Sequence, residues 1–230
     1  MNQTYHDLSA YAAPLSSAER NRVLRNTYWL LALSMIPTVA GAWLGLATGI
    51  SRAMSPMVGL IVFMAGSFGF MFAIEKTKNS AAGVPVLLGF TFFMGVMLSR
   101  LVGMVLGLNN GASLIMTAFA GTGAIFLGMA TLSSVIKRDL SNMGKFLFVG
   151  MIMLLVAGIA NIFIQSSALM ITLSVLAIGI FSAFILHDLK RVQDGYETNY
   201  ITATLGVYLS LYNVFQSLLS ILGIMGSNDD

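Results

Sequence analysis

The chain has 230 residues, 57% of them hydrophobic and only 9% charged, with a mean hydropathy of +0.85. Soluble domains carry roughly 25% charged residues, so this composition excludes a soluble globular protein and points to a membrane protein. A net charge of +3 and a pI near 9.3 would suit nucleic acid in a soluble chain, but here basic residues mainly report orientation, and no folded soluble domain remains to bind nucleic acid.

Charges fall in short clusters separated by long gaps. Thr27–Ser51, Ala53–Ile74, Asn79–Ser99, Leu101–Ile136, Phe146–Leu186 and Thr198–Asn228 contain no Asp, Glu, Lys or Arg. The two longest gaps break at Leu108-Asn109-Asn110-Gly111 and Gln165-Ser166-Ser167, both turn compositions. The pattern predicts an all-α protein with seven spans, at 27–49, 54–74, 84–106, 112–136, 145–165, 168–188 and 202–224. Six spans with one re-entrant segment is the alternative that hydropathy leaves open. Residues 1–26 then form an N-terminal tail, 27–224 the transmembrane domain and 225–230 a short C-terminal tail.

The N-terminal stretch lacks a basic segment followed by a short apolar run, so no cleaved signal is expected and the first span should direct its own insertion. With seven spans the termini lie on opposite sides. Placing the N-terminus in the cytoplasm puts Arg20, Arg22, Arg25, Lys76, Lys78, Lys137, Arg138, Lys145, Lys190 and Arg191 inside and leaves Arg52 as the one basic loop residue outside. Ten against one satisfies the positive-inside rule. The C-terminal tail then faces out.

In chain order, residues 1–19 read as a polar tail, and Tyr28 and Trp29 follow a basic stretch as headgroup-level anchors. Span 1 carries Gly41, Gly45 and Gly49, a small residue every fourth position. That face permits close helix contact with another span or with another copy of the chain. Pro37 within the same span removes a backbone hydrogen bond and favours a kink. Pro85 suits the first turn of span 3. Arg100, the one basic residue at membrane depth, lies about six residues from the outer end of span 3, within snorkelling reach. Its expected neighbours are Asn161 and Gln165 near the outer end of span 5, or the span-3 carbonyls. After span 6, Val192–Asn199 reads as a loop, with Asp194-Gly195 as a turn and Thr198 or Asn199 available to cap the last helix.

The last span is charge-free but not uniformly apolar. Gly206, Ser210, Asn213, Ser217 and Ser220 recur at steps of three and four, forming one small, polar stripe. Such groups are costly against lipid, so the stripe should face other helices or a wet cavity. Asp188 ends span 6, across a short hairpin from Ser210. Asp188, His187 and Glu197 can therefore line a mouth below the stripe, where a partly desolvated carboxylate can sense protons or bind a cation. The alternative is an ordinary solvated carboxylate beside Lys190 and Arg191.

Enzyme readings find no support. There is no HExxH, GxSxG, paired intramembrane aspartate or Gly-Lys-Ser/Thr phosphate loop. The two histidines, His6 and His187, are on different elements. The absence of cysteine removes disulfides, thiol nucleophiles and thiolate metal sites. No catalytic residue, metal site or cofactor is assigned, and Ca2+ or H+ enters only as a transported ion.

Tyr208-Leu209-Ser210-Leu211-Tyr212-Asn213-Val214-Phe215, followed by Leu218-Leu219, resembles the last-helix signature of the Bax-inhibitor family. Val23-Leu24-Arg25-Asn26-Thr27-Tyr28, Glu197-Thr198-Asn199-Tyr200-Ile201 and Ser217-Leu218-Leu219-Ser220-Ile221-Leu222-Gly223 are closer still to its bacterial YccA branch. The resemblance implies six helices around a central seventh. Some family members are pH-sensitive calcium leaks gated by two aspartates. By position these fall on Asp188 and on Ser210, which is not acidic, so a carboxylate pair is not available here. The YccA branch is associated with binding and restraining the membrane-anchored, ATP-dependent FtsH protease. The expected role is thus a non-enzymatic modulator of such a protease in membrane-protein quality control, with the N-terminal tail and the small-residue face of span 1 as candidate contact surfaces. The alternative is a cation leak or proton-linked transporter along the last helix.

Overall fold

The computed structural model describes residues 16–140 and 142–227. They form α1 (Ser17–Thr48), the short α2 (Ile50–Ala53), α3 (Pro56–Thr77), α4 (Gly83–Leu106), α5 (Gly111–Val135), α6 (Met143–Ile164), α7 (Ser167–Asp194) and α8 (Tyr200–Gly226). Seven of these are long and apolar enough to cross a membrane, and no strand occurs among the described residues. The shortest of the seven has 22 residues, about 33 Å at helical rise against a hydrocarbon core of about 30 Å. The chain is a seven-span membrane protein.

Two helices outrun their predicted spans by more than a turn at one end. α1 begins at Ser17 rather than at 27 because Ser16 and Glu19 form a reciprocal capping box. The Glu19 amide donates to Ser16 Oγ at 3.3 Å, and the Ser16 amide donates to Glu19 Oε2 at 2.9 Å. α7 runs to Asp194 rather than ending at 188. Leu189 and Val192 are buried on it, Lys190 pairs with Asp194 one turn on, and Gly195 closes it at φ 84°. The predicted loop therefore shortens to Gly195–Asn199. Most of the N-terminal tail, residues 1–15, lies outside the described residues, as do the last three of the C-terminal tail.

α1 and α4 form the closest pair. A Cβ on Gly41 would lie 2.1 Å from the Phe92 carbonyl oxygen, and one on Gly95 would lie 2.0 Å from the Thr38 carbonyl oxygen. A Cβ on Gly45 would meet Ser99 Oγ at 2.3 Å. Bare backbone on each helix thus seats against the other. The small-residue face of span 1 is occupied within the chain, which corrects its reading as a contact surface for a partner. Gly49 is not part of that face. At φ 66° it ends α1.

α1 continues as one helix through Pro37. The hydroxyls of Ser34 and Thr38 flank that residue and donate to the Leu30 and Ser34 carbonyls, each at 2.7 Å. Thr38 has one proton and gives it to Ser34, so the 2.9 Å contact between Thr38 Oγ1 and the Tyr208 hydroxyl is donated by Tyr208. Tyr208 is 1% exposed and lies 3.4 Å from the Thr91 carbonyl oxygen. One phenol on α8 thereby joins the α1–α4 pair.

α8 packs against α1, α4, α5 and α7, and α6 packs against α7. No α6 residue is buried. Phe146 and Phe163 on α6, Phe119 on α5 and Phe72 on α3 are exposed, as suits side chains that face lipid. Ala at Gly41 or Gly95 is expected to cost about 3 kcal/mol by overpacking backbone that cannot retreat. Ala at Gly123 or Gly158, where a Cβ meets nothing within 4 Å, is expected to be neutral or slightly stabilising. Thermal unfolding in detergent distinguishes the two sets.

Candidate functional site

The hairpin between α7 and α8 fixes the site. Asp188 lies seven residues before Gly195 and Gly206 lies seven after Asn199, so antiparallel packing brings the two level. Asp188 Oδ2 would be 2.8 Å from a Cβ on Gly206. The carboxylate therefore rests against the glycine of the stripe, and Ser210 lies one turn further along α8. This corrects the expectation that Asp188 ends its helix: the helix runs to Asp194, and Asp188 meets the stripe at Gly206.

His187 takes the other side of α7. Its Nδ1 is 3.2 Å from Asp188 Oδ1, and its Nε2 would be 2.8 Å from a Cβ on Gly144 of α6. His187 is buried and Asp188 partly so. Among the described residues no Lys or Arg forms an ion pair with Asp188; its recorded partner is His187. His187 therefore lies between Asp188 on one side and Gly144 of α6 on the other.

The stripe serines, like Ser174 and Ser182 of α7, lack the backbone bond that most other buried hydroxyls of the bundle make. Ser34, Thr122 and Thr204 donate to carbonyls of their own helices. Ser210, Ser217 and Ser220 are buried residues whose hydroxyls bond no other described residue, and none of the three oxygens is fully enclosed. Asn213 donates back to the Leu209 carbonyl at 2.8 Å. Asp188 thus meets the stripe at Gly206, one turn from Ser210, and Asn213 is tied to its own helix.

Glu197 does not join Asp188 and the stripe through its recorded bond. Its Oε1 accepts from the Asn199 amide at 2.9 Å. Asn199 caps α8, accepting from the Ile201 and Thr202 amides at 2.9 and 3.3 Å. Its side-chain amide also donates to the Lys78 carbonyl and Asn79 Oδ1, at 3.1 and 2.9 Å, which joins the α7–α8 loop to the α3–α4 loop.

The three residues expected to form an intramembrane polar cluster separate. Arg100 Nη1 donates to the Met54 carbonyl at 3.3 Å, in the turn between α2 and α3. Asn161 Oδ1 accepts from the Ser166 amide at 3.1 Å, and Gln165 closes α6 at φ 55°. Arg100 snorkels to a loop carbonyl, while Asn161 and Gln165 finish their own helix. Arg52 reaches in the other direction, donating from the short α2 to the Gly103 carbonyl within α4 at 2.7 Å. Sequence reasoning missed the contact of Gly206 with Asp188, although counting outward from both sides of the turn finds it.

The sequence model described as "Inhibitor of apoptosis-promoting Bax1" matches residues 20–228. The chain belongs to the Bax-inhibitor family. It is 39% identical over 211 residues to a membrane protein of Vibrio cholerae, covering 92% of this chain and 93% of that one. It is 37% identical over 203 residues to the Escherichia coli K12 protein named "Modulator of FtsH protease YccA", covering 88% and 90% of the two chains. The same figures hold for the "Inner membrane protein YccA" of Escherichia coli O6:H1.

Ala at Gly206 is expected to destabilise the protein by about 1 kcal/mol, because its methyl displaces the Asp188 carboxylate. In an Asp188→Ala background that cost is expected to disappear. A double-mutant cycle on thermal unfolding measures the coupling.

Proposed function

We propose that this protein is an inner-membrane partner that binds and modulates a membrane-anchored, ATP-dependent protease of the FtsH type and catalyses no reaction itself. The observation that carries this reading is the 37% identity, across nine-tenths of both chains, to a protein named for modulating that protease. The proposed orientation places the N-terminus in the cytoplasm, supported by the ten basic residues that this arrangement puts inside. Residues 1–19 then serve as the handle that a cytoplasmic protease can reach. The full-length protein is expected to co-purify with FtsH from its host membrane, and removal of residues 1–19 to weaken that association. Retention of wild-type recovery after the truncation would sink the handle, and absence of FtsH from the intact complex would sink the role.

A second reading, a cation leak or proton-linked transport along α8, is favoured by one specific arrangement. The Asp188 carboxylate lies on Gly206, at the end of a row of hydroxyls that no other described residue satisfies. One carboxylate with serine oxygens is a sparse site for Ca2+, which takes six to eight oxygens, so the modulator reading leads. Liposomes holding the purified protein decide the matter. Calcium or proton flux above empty liposomes that changes with pH and with Asp188→Asn would establish a conducting route. No flux at any pH leaves the stripe as helix packing.

A further inference from the structure

At the end of the bundle rich in basic residues, an open groove runs along one face of α1, with Gln193 of α7 against its polar end. Its first part, about 250 Å3, is lined by Ser17, Arg20, Asn21, Leu24 and Gln193. Its second part, about 500 Å3, shares Asn21 and Leu24 and continues along Arg25, Tyr28 and Trp29. The walls change from polar to aromatic along a single face of α1.

Arg20 is the unusual group. It is partly buried, and none of the ion pairs among the described residues includes it. Its Nη1 donates to the Gln193 carbonyl at 3.2 Å and its Nη2 to Ser17 Oγ at 3.3 Å. Its Nε is the one enclosed side-chain nitrogen or oxygen without an acceptor among the described residues. A guanidinium has five donor protons, so two long bonds to neutral groups leave two Nη protons and the charge unmatched. The nearby acids are engaged elsewhere, Glu19 with Ser16 and Asp194 with Lys190.

Depth supplies the second constraint. Gln193, which accepts from Arg20, donates through its side chain to Ser133 Oγ at 2.9 Å, in the last turn of α5. Tyr28 meets Phe126 edge-on at 6.0 Å, two turns deeper on the same helix. Arg20 therefore lies level with the ends of the spans, where phosphates sit, and Tyr28 and Trp29 lie where acyl chains begin. Trp29 is 73% exposed.

We propose that this groove binds an anionic phospholipid, its phosphate on the free Nη protons of Arg20 and on Arg25, and one acyl chain along Leu24, Tyr28 and Trp29. Guanidinium groups match phosphate oxygens in a planar fork, and an unpaired, partly desolvated cation gains most from such a counterion.

The test uses the full chain carrying Trp43→Phe, which leaves Trp29 as its one tryptophan. It is placed in bilayers of phosphatidylcholine and phosphatidylglycerol, with brominated chains on one lipid at a time. Brominated phosphatidylglycerol is expected to quench Trp29 more strongly than brominated phosphatidylcholine at equal mole fraction. Arg20→Gln is expected to abolish that preference. Lys137→Gln, which removes an exposed charge at the same end, is expected to keep it, as is excess inorganic phosphate. Equal quenching in the parent protein overturns the proposal, including the case where deleting residues 1–15 restores a preference and so shows the chain's own tail in the groove. Equal losses from Arg20→Gln and Lys137→Gln would mean diffuse attraction, and loss with inorganic phosphate a small-anion site; each overturns it too. Should Arg20→Gln fail to fold, the parent comparison together with Arg25→Gln decides.

Discussion

Carbonyl oxygens of α1 and α4 face glycine Cα atoms of the opposite helix at a separation that no side chain would allow. In a bilayer, lipid tails solvate an apolar helix as well as a neighbouring helix does, so association rests on shape, dispersion and interhelical hydrogen bonds. The crossing at Gly41 and Gly95 supplies the shape, and many weak atom contacts follow from the close approach. Once the pair is formed, Thr38 and Thr91 stand at fixed positions on its surface. Tyr208 then registers α8 against both helices with one hydroxyl. The height of Gly206, and so the resting place of Asp188, follows from that registration.

The polar groups of the bundle divide according to how they are satisfied. Most Ser and Thr hydroxyls return a proton to a carbonyl of their own helix, and both arginines toward the Arg52 end reach a backbone carbonyl, Arg100 in a loop and Arg52 in α4. These are closed local arrangements that contribute to folding and ask nothing of a ligand. Asp188 and the stripe serines are open by comparison, and so is the guanidinium of Arg20. An unmatched polar group in a low-dielectric setting retains a large free energy for whatever can match it.

Much of this architecture was legible in the chain, because span number follows from charge-free length and that signal is one-dimensional. A cap at Thr198 or Asn199 and a turn at Gly195 were also readable, since both depend on local backbone chemistry, and the structure uses Asn199. The extension of α7 to Asp194 was not, because it depends on burial of Leu189 and Val192 against other helices. The partner of the Gly41 face could not be read either, since a small-residue stripe carries no label for what it meets. Arg100 shows the same limit. Depth along a helix suggested Asn161 and Gln165 as neighbours, but which helices adjoin is a property of the packed bundle. The position of Asp188 was within reach of simple counting once the hairpin was fixed.

Asn199 uses its whole side chain: the oxygen receives two amides at the start of α8 and the nitrogen gives two protons to the α3–α4 loop. Serine, threonine and aspartate ordinarily replace asparagine at a helix start with little loss. Here none of them reproduces the sideways attachment, since aspartate has no proton to give and a hydroxyl has one. The usual interchange of cap residues is therefore closed at this position. A change to aspartate would leave α8 intact and cut the tether that holds the hairpin to the far side of the bundle, separating helix initiation from tertiary anchoring in a single atom exchange.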